Sequence, residues 1–204
     1  MPQLRALPRF RVARSSALVE IAFHDGGMNL LSSDALRELR DIIATCGNAP
    51  VVFRSGQPRL FAAGADMAEM ARFSAFDAYA FAELGQEVFA SIERLPDLTV
   101  AFIDGDCFGG ALDLVLAFDL RFATPRSRFA HPGARIGIVT GFGGTSRWRK
   151  VLTRPAANQL FLANRVFAAR EAAELGLVDR ICEEMPVLPR VDVRRIKQHL
   201  TSIR

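Results

Sequence analysis

A chain of 204 residues, half of them hydrophobic and 24% charged, is long enough for one domain with a substantial core and too apolar to be disordered. No apolar run approaches the roughly 20 residues of a membrane span, and the Arg-containing start lacks the apolar stretch of a secretory signal, so neither a membrane protein nor a secreted one is expected. The net charge of +4 resides in residues 185–204, where Arg190, Arg194, Arg195, Lys197 and Arg204 face only Asp192; residues 1–184 are balanced and form the main body, with 185–204 a short basic helix or tail.

The body alternates strands and helices, which predicts an α/β domain. Val12 to Phe23 reads as strand, most clearly over Ala17–Phe23. Asp34 to Cys46 reads as a helix with Leu36, Leu39, Ile42 and Ile43 on one face. Val51–Phe53 is a short apolar strand. Ser74 and Asp77 resemble a capping box, after which Phe81, Leu84, Val88, Ile92 and Leu95 mark a long amphipathic helix ending at Pro96. Thr99–Ile103 is a buried strand, and Gly110 to Phe118 is a short helix so uniformly apolar that it is expected to be buried on every side. Leu120–Ala123 and Arg128–Ala130 follow as strands. Pro155 opens a helix through Ala163, Ala168–Leu175 is a helix stopped by Gly176, and Val178–Ile181 closes the body. A helix-like stretch from Val193 to Ile203 lies in the tail.

Cys46, Cys107 and Cys182 show no paired spacing and are odd in number, which suits a reducing, cytoplasmic setting. His24, His131 and His199 form no metal-binding motif, so no metal is expected.

Two glycine-rich segments carry the chemistry. Phe61-Ala62-Ala63-Gly64-Ala65-Asp66 and Gly105-Asp106-Cys107-Phe108-Gly109-Gly110-Ala111-Leu112-Asp113 each bring small residues to places where a backbone N–H can approach a ligand unobstructed. The second runs into the apolar helix, so its N–H groups sit at a positive helix end. Two such donors meeting at one oxygen would stabilise a thioester enolate.

These residues resemble the crotonase superfamily, the enoyl-CoA hydratase/isomerase family, from about Ala17 to Cys182. Four blocks in the family's order carry the resemblance: Phe61–Asp66; Asp104-Gly105 with Gly109-Gly110, Asp113 and Asp119; Phe129-Ala130-His131-Pro132-Gly133 with Gly137-Ile138; and Gly141-Phe142-Gly143-Gly144-Thr145-Ser146-Arg147. Glu171–Val178 fits as well. The resemblance implies a spiral of repeated β-β-α units with helices packed around it and a shortened C-terminal helical region. It also implies a coenzyme A thioester as substrate, no permanently bound cofactor, and a homotrimer or dimer of trimers. It assigns the oxyanion-hole amides to Ala65 and Gly110, an adenine-binding backbone stretch to Ala63 and Gly64 beside Asp66 and Gly109, and a segment along the CoA to Gly27–Leu30, which includes Asn29.

Hydratases of the family use two glutamates, one to hold and deprotonate water and one to supply a proton to carbon. The first position falls here on Asp113, three residues and about one helical turn after Gly110. Aspartate keeps the chemistry but is one methylene shorter, and a displacement on the order of 1 Å costs about a hundredfold in rate. The second position falls on Gly133, which has no side chain. His131, two residues away, titrates near neutral pH and is a candidate substitute; Asp66 and Asp106 are others. One-carboxylate relatives perform isomerisation, decarboxylation or ring closure on a common enolate.

Plainer readings stand beside these. Gly109-Gly110 also suits close helix packing, Ala65 an ordinary loop, Asp113 a buried structural carboxylate, and His131 a loop histidine with satisfied hydrogen bonds. Gly141–Gly144 reads as a tight turn opening a helix beside the acyl pocket, not a phosphate loop, and Trp148 as a packing aromatic. The expected function is an acyl-CoA enzyme of lyase or isomerase type. The alternative is a non-catalytic CoA-binding or assembly subunit, suggested by Gly133 and by the chain's stop at Arg204, where family members carry further helices over the acyl site. RNA binding by the tail would need aromatic residues among its cations, and none is there.

Overall fold

The computed structural model describes residues 8–188 and, beyond them, positions 193, 196 and 197. The tail helix expected over 193–203 lies otherwise outside the described residues.

The chain opens with a hairpin. Strands β1 (Phe10–Arg14) and β2 (Val19–Phe23) pair antiparallel with Phe10 opposite Phe23, their rings stacked at 4.5 Å. The single strand expected over Val12–Phe23 is broken because the Ser15 hydroxyl accepts from the N–H groups of Ala17 and Leu18, a local turn that competes with extension. Strands β3 (Leu30–Leu31), β4 (Val51–Ser55), β5 (Leu60–Ala62) and β6 (Gly64–Ala65) follow, with helix α1 (Ser33–Ile43) between β3 and β4. Ser32 caps α1 by accepting from the Ala35 N–H, and Leu36, Leu39 and Ile43 are its buried stripe. The short helix α2 (Met67–Met70) leads to α3 (Ala75–Glu93), which begins on the expected Ser74–Asp77 capping box and buries Phe81, Val88, Phe89 and Ile92.

The second half repeats the pattern with β7 (Thr99–Ile103), β8 (Asp106–Phe108), α4 (Gly110–Val115), β9 (Leu120–Ala123) and β10 (Arg128–Ala130). Then come a 3₁₀ turn (Pro132–Ile136), α5 (Gly144–Arg147), α6 (Arg154–Leu162), β11 (Phe167–Ala168), α7 (Ala169–Glu174) and β12 (Arg180–Ile181). Gly176 adopts φ +83° just past α7, as its stop position requires.

Successive strands are dealt to different sheets. One sheet runs β1-β2-β4-β7-β9-β12 and is parallel from β2 onward; a second runs β11-β10-β8-β5; β3 and β6 form a parallel pair. Each turn of the chain therefore lays one strand in the large sheet, one or two in the small ones, and then a helix. This is the spiral of β-β-α units. The main core lies between the sheets and helices and includes Ile21, Phe53, Phe61, Phe89, Ile103 and Phe129, all without exposed surface. On the other face of the large sheet Val52, Val100 and Phe122 form a second cluster, against which Cys182, Met185 and Leu188 pack. Asp119 ties the spiral to the tail: it accepts from the N–H and hydroxyl of Thr99 and pairs with Lys197 at 2.7 Å.

Candidate active site

The two glycine-rich segments meet. Strand β6 pairs with β3 so that Leu31 stands opposite Ala65, and the Asp66 N–H donates to the Leu31 carbonyl at 3.3 Å. Neighbouring residues of a strand direct their N–H groups oppositely, so the Ala65 N–H points away from β3. Gly110 opens α4, and its N–H finds no acceptor among the described residues. The segments touch through Gly64: a Cβ there would lie 2.7 Å from the Phe108 carbonyl oxygen and 2.9 Å from the Gly110 nitrogen, and its φ of +99° independently demands glycine. A Cβ on Gly110 would stand 3.4 Å from the Ala65 nitrogen. Two amides directed away from their own strand and helix, without an acceptor among the described residues, thus emerge side by side on half-buried residues. Flanking bonds fix the frame: Ala63 N–H to the Met28 carbonyl at 3.1 Å, Gly109 N–H to the Ala130 carbonyl at 2.9 Å, and the Asp66 carboxylate accepting from Ala68 and Glu69 at the start of α2.

One turn along α4, Asp113 is fully buried. Its Oδ2 accepts a hydrogen bond from the Thr140 hydroxyl, while Oδ1 has no hydrogen-bond partner among the described residues. A Cβ on Gly144 would overlap Oδ1, so only glycine lets α5 close over this carboxyl. Burial pushes the Asp113 carboxyl well above the usual carboxylate range, and the Arg147 guanidinium partly opposes that shift. His131, also buried, points Nε2 toward Asp113 Oδ1 at 3.9 Å, and this nitrogen too has no hydrogen-bond partner among the described residues. Burial lowers the His131 imidazole below its ordinary value.

Phe142 closes the upper side. Its ring lies against Gly110, where an added Cβ would be 3.0 Å away, and packs edge-on against Phe81 at 5.0 Å and Phe89 at 5.6 Å. Gly85 of α3 makes the room for it. Arg147 locks the loop from behind, donating to the Phe142 carbonyl at 2.6 Å and to Glu93 at 3.0 Å. The Gly141–Gly144 stretch is thus the expected turn into a helix, with Gly143 at φ +87°.

The profile of the enoyl-CoA hydratase/isomerase family matches residues 13–204. This chain belongs to that family, within the crotonase superfamily. It is similar to crotonyl-CoA hydratase of Syntrophomonas wolfei subsp. wolfei, 34% identical over 179 residues that cover 86% of this chain and 68% of that one. It is likewise similar to short-chain-enoyl-CoA hydratase of Clostridium acetobutylicum, 32% identical over 160 residues covering 76% and 61%. In fold it resembles the enoyl-CoA hydratase of Thermoplasma volcanium GSS1, with a TM-score of 0.88 at 24% identity over 97% of this chain and 85% of that one. The chain spans about two thirds of the length of these curated relatives.

Within this family member, Ala65, Gly110, Asp113 and His131 are brought together, with Ala63, Gly64, Asp66 and Gly109 framing them. Asn29 takes a different part. It is fully buried at φ +51°, and its amide nitrogen reaches the carbonyls of Phe23 and Phe61 and the Ser55 hydroxyl, so the side chain staples β2, β4 and β5 together instead of facing a ligand. Asp106 pairs with Arg128 through two bonds of 2.7 and 2.6 Å, at the other end of β8 from Gly109. Gly133 lies in the 3₁₀ turn, where a Cβ would come 2.7 Å from the Ile138 carbonyl oxygen; the backbone has closed over the position. Thr140 and Arg147 carried no site signal of their own in the sequence. A lone hydroxyl in a loop has no period, and Arg147 reads as the end of a turn motif.

Proposed function

We propose that this protein transforms an acyl-CoA thioester through an enolate whose oxygen is held by the N–H groups of Ala65 and Gly110 while Asp113 moves the proton at the adjacent carbon. The observation that carries this reading is the pair of uncommitted amides side by side, one helical turn from a buried carboxyl. Donors fixed by the fold stabilise developing oxyanion charge without reorganising, and removing one such donor typically costs about 10²–10³ in rate. A desolvated carboxyl with a raised pKa is a strong base once ionised. With glycine at position 133 there is no second carboxyl to position water, which favours isomerase-type or lyase-type proton transfer over two-carboxylate hydration. The backbone of Ala63, Gly64 and Gly109 would take the CoA portion, with Gly27–Leu30 alongside; the Ala63–Met28 hydrogen bond supports that neighbourhood. Trimer assembly belongs to the same reading, supported by the exposed apolar side chains of Ile136, Val139 and Leu162. A reducing, cytoplasmic setting is supported by the free thiols of Cys46, Cys107 and Cys182.

Exchange of the α-hydrogens of butyryl-CoA in deuterated water, followed by proton NMR, tests enolate formation without presuming the overall reaction. Exchange is expected with the native chain and is expected to be lost in Asp113→Ala, with acetyl-CoA binding by calorimetry retained. Unchanged exchange in that variant removes Asp113 from the chemistry. The complete burial of Asp113 favours one other reading, a CoA-binding subunit without catalysis. Binding with no exchange and no turnover across a thioester panel would select it.

A further inference from the structure

The space beside Gly133 is filled. The Ile138 carbonyl oxygen occupies it, 2.7 Å from where a Cβ on residue 133 would stand, and the His131 ring lies against the same spot, with Cε1 and Nδ1 at 3.4 and 3.5 Å. The same ring turns Nε2 toward Asp113 Oδ1, and each of these atoms is buried with no other partner among the described residues. Buried polar atoms left unpaired are destabilising, so two of them facing one another call for a functional account. Their separation of 3.9 Å exceeds a hydrogen bond, yet catalytic hydrogen bonds are often long before ligand binds.

The remaining surroundings leave the two atoms to each other. Thr140 occupies Oδ2 and leaves Oδ1 free for the imidazole. From β8, Cys107 presents a fully buried thiol that burial and the neighbouring Asp113 and Asp106 keep protonated. From α5, Arg147 is committed to Glu93 and to backbone carbonyls. From α6, the apolar ring of Phe161 covers the imidazole at 5.1 Å.

We propose that His131 and Asp113 share one proton, the imidazole acting through the carboxyl as the positioning residue that sets whether Asp113 meets the substrate as an acid or a base. The inference rests on the proposed role of Asp113. Burial favours the neutral form of Asp113, which cannot take a proton from carbon. Transfer within the pair supplies a carboxylate even though burial favours both neutral forms, because the imidazolium formed beside it offsets its charge. The Oδ1–H bond breaks, an Nε2–H bond forms, and carboxylate beside imidazolium replaces carboxylic acid beside imidazole, with no change in total charge or proton count. The carboxylate then accepts the α-proton while the C–H electron pair passes into the enolate.

The test is the pH profile of α-hydrogen exchange in the native chain and in His131→Gln, which keeps a polar group of similar reach but cannot titrate there. The variant is expected to lose about tenfold or more at pH 7, with its base limb displaced upward by about one pH unit or more, recovery at high pH, and acetyl-CoA binding retained. A loss equal at every pH, or none, overturns the proposal. A second arm needs no turnover: the His131 Cε1–H resonance is titrated by NMR in the native chain and in Asp113→Asn. The imidazole is expected to titrate at lower pH in Asp113→Asn, and an unchanged titration overturns the pairing. Should the native chain exchange no thioester at all, the functional reading fails while this arm still decides the pair.

Discussion

Asp113 has no exposed surface, and this makes its protonation a stability term as well as a catalytic one. Because burial raises its folded pKa, the folded chain binds the proton more tightly than the unfolded chain. The resulting stabilisation is fully present below the unfolded carboxyl value of about 4 and is lost as pH rises through the folded value. Asp113→Asn is therefore expected to gain melting temperature over the native chain progressively from pH 4 to pH 8 in parallel thermal melts; an offset constant with pH contradicts the assignment. His131 has the opposite sign. Its lowered pKa makes the folded state bind the proton less tightly, so stability falls as pH drops below about 6.5 toward the folded value. At this scale the sequence was readable wherever a residue type broke its local pattern: an acid in an otherwise apolar helix, or paired glycines before it. Asn29 shows the opposite case. Its neighbours in sequence suggest a ligand-side loop, but its role is set by carbonyls 6 and 32 residues away, which no local spacing reveals.

Among the elements, α3 and the loop carrying Phe142 are fitted to one another through Gly85. A methyl group on Gly85 would enter the Phe142 ring, so Gly85→Ala is expected to destabilise by about 1–3 kcal/mol through overpacking. That cost outweighs the gain of up to ~1 kcal/mol that alanine brings to a helix interior. Phe142→Leu added to Gly85→Ala is expected to recover part of the loss, as a double-mutant cycle in denaturant would read; strictly additive losses would place the ring elsewhere. The long helices α1 and α3 were legible because 3.6-residue periodicity accumulates over 11 and 19 residues. Strands β3, β6 and β11 have two residues each, too few to show a period of two. They exist because a neighbouring strand supplies their hydrogen bonds, and β3 and β6 are what orient the Ala65 amide.

For the molecule as a whole, strand–helix alternation gave the α/β class, while the dealing of strands among three sheets is a long-range fact that the resemblance supplied and local patterning did not. That arrangement brings residue 65 to residue 110 across a separation of 45 positions, with Gly64 as the contact that admits no side chain. The proposed chemistry depends on what these amides face. The direct measurement is a crystal structure of the protein with butyryl-CoA bound. The thioester oxygen is predicted to lie about 2.7–3.1 Å from the nitrogens of both Ala65 and Gly110, with the α-carbon toward Asp113. A bound thioester whose oxygen contacts neither nitrogen would contradict it.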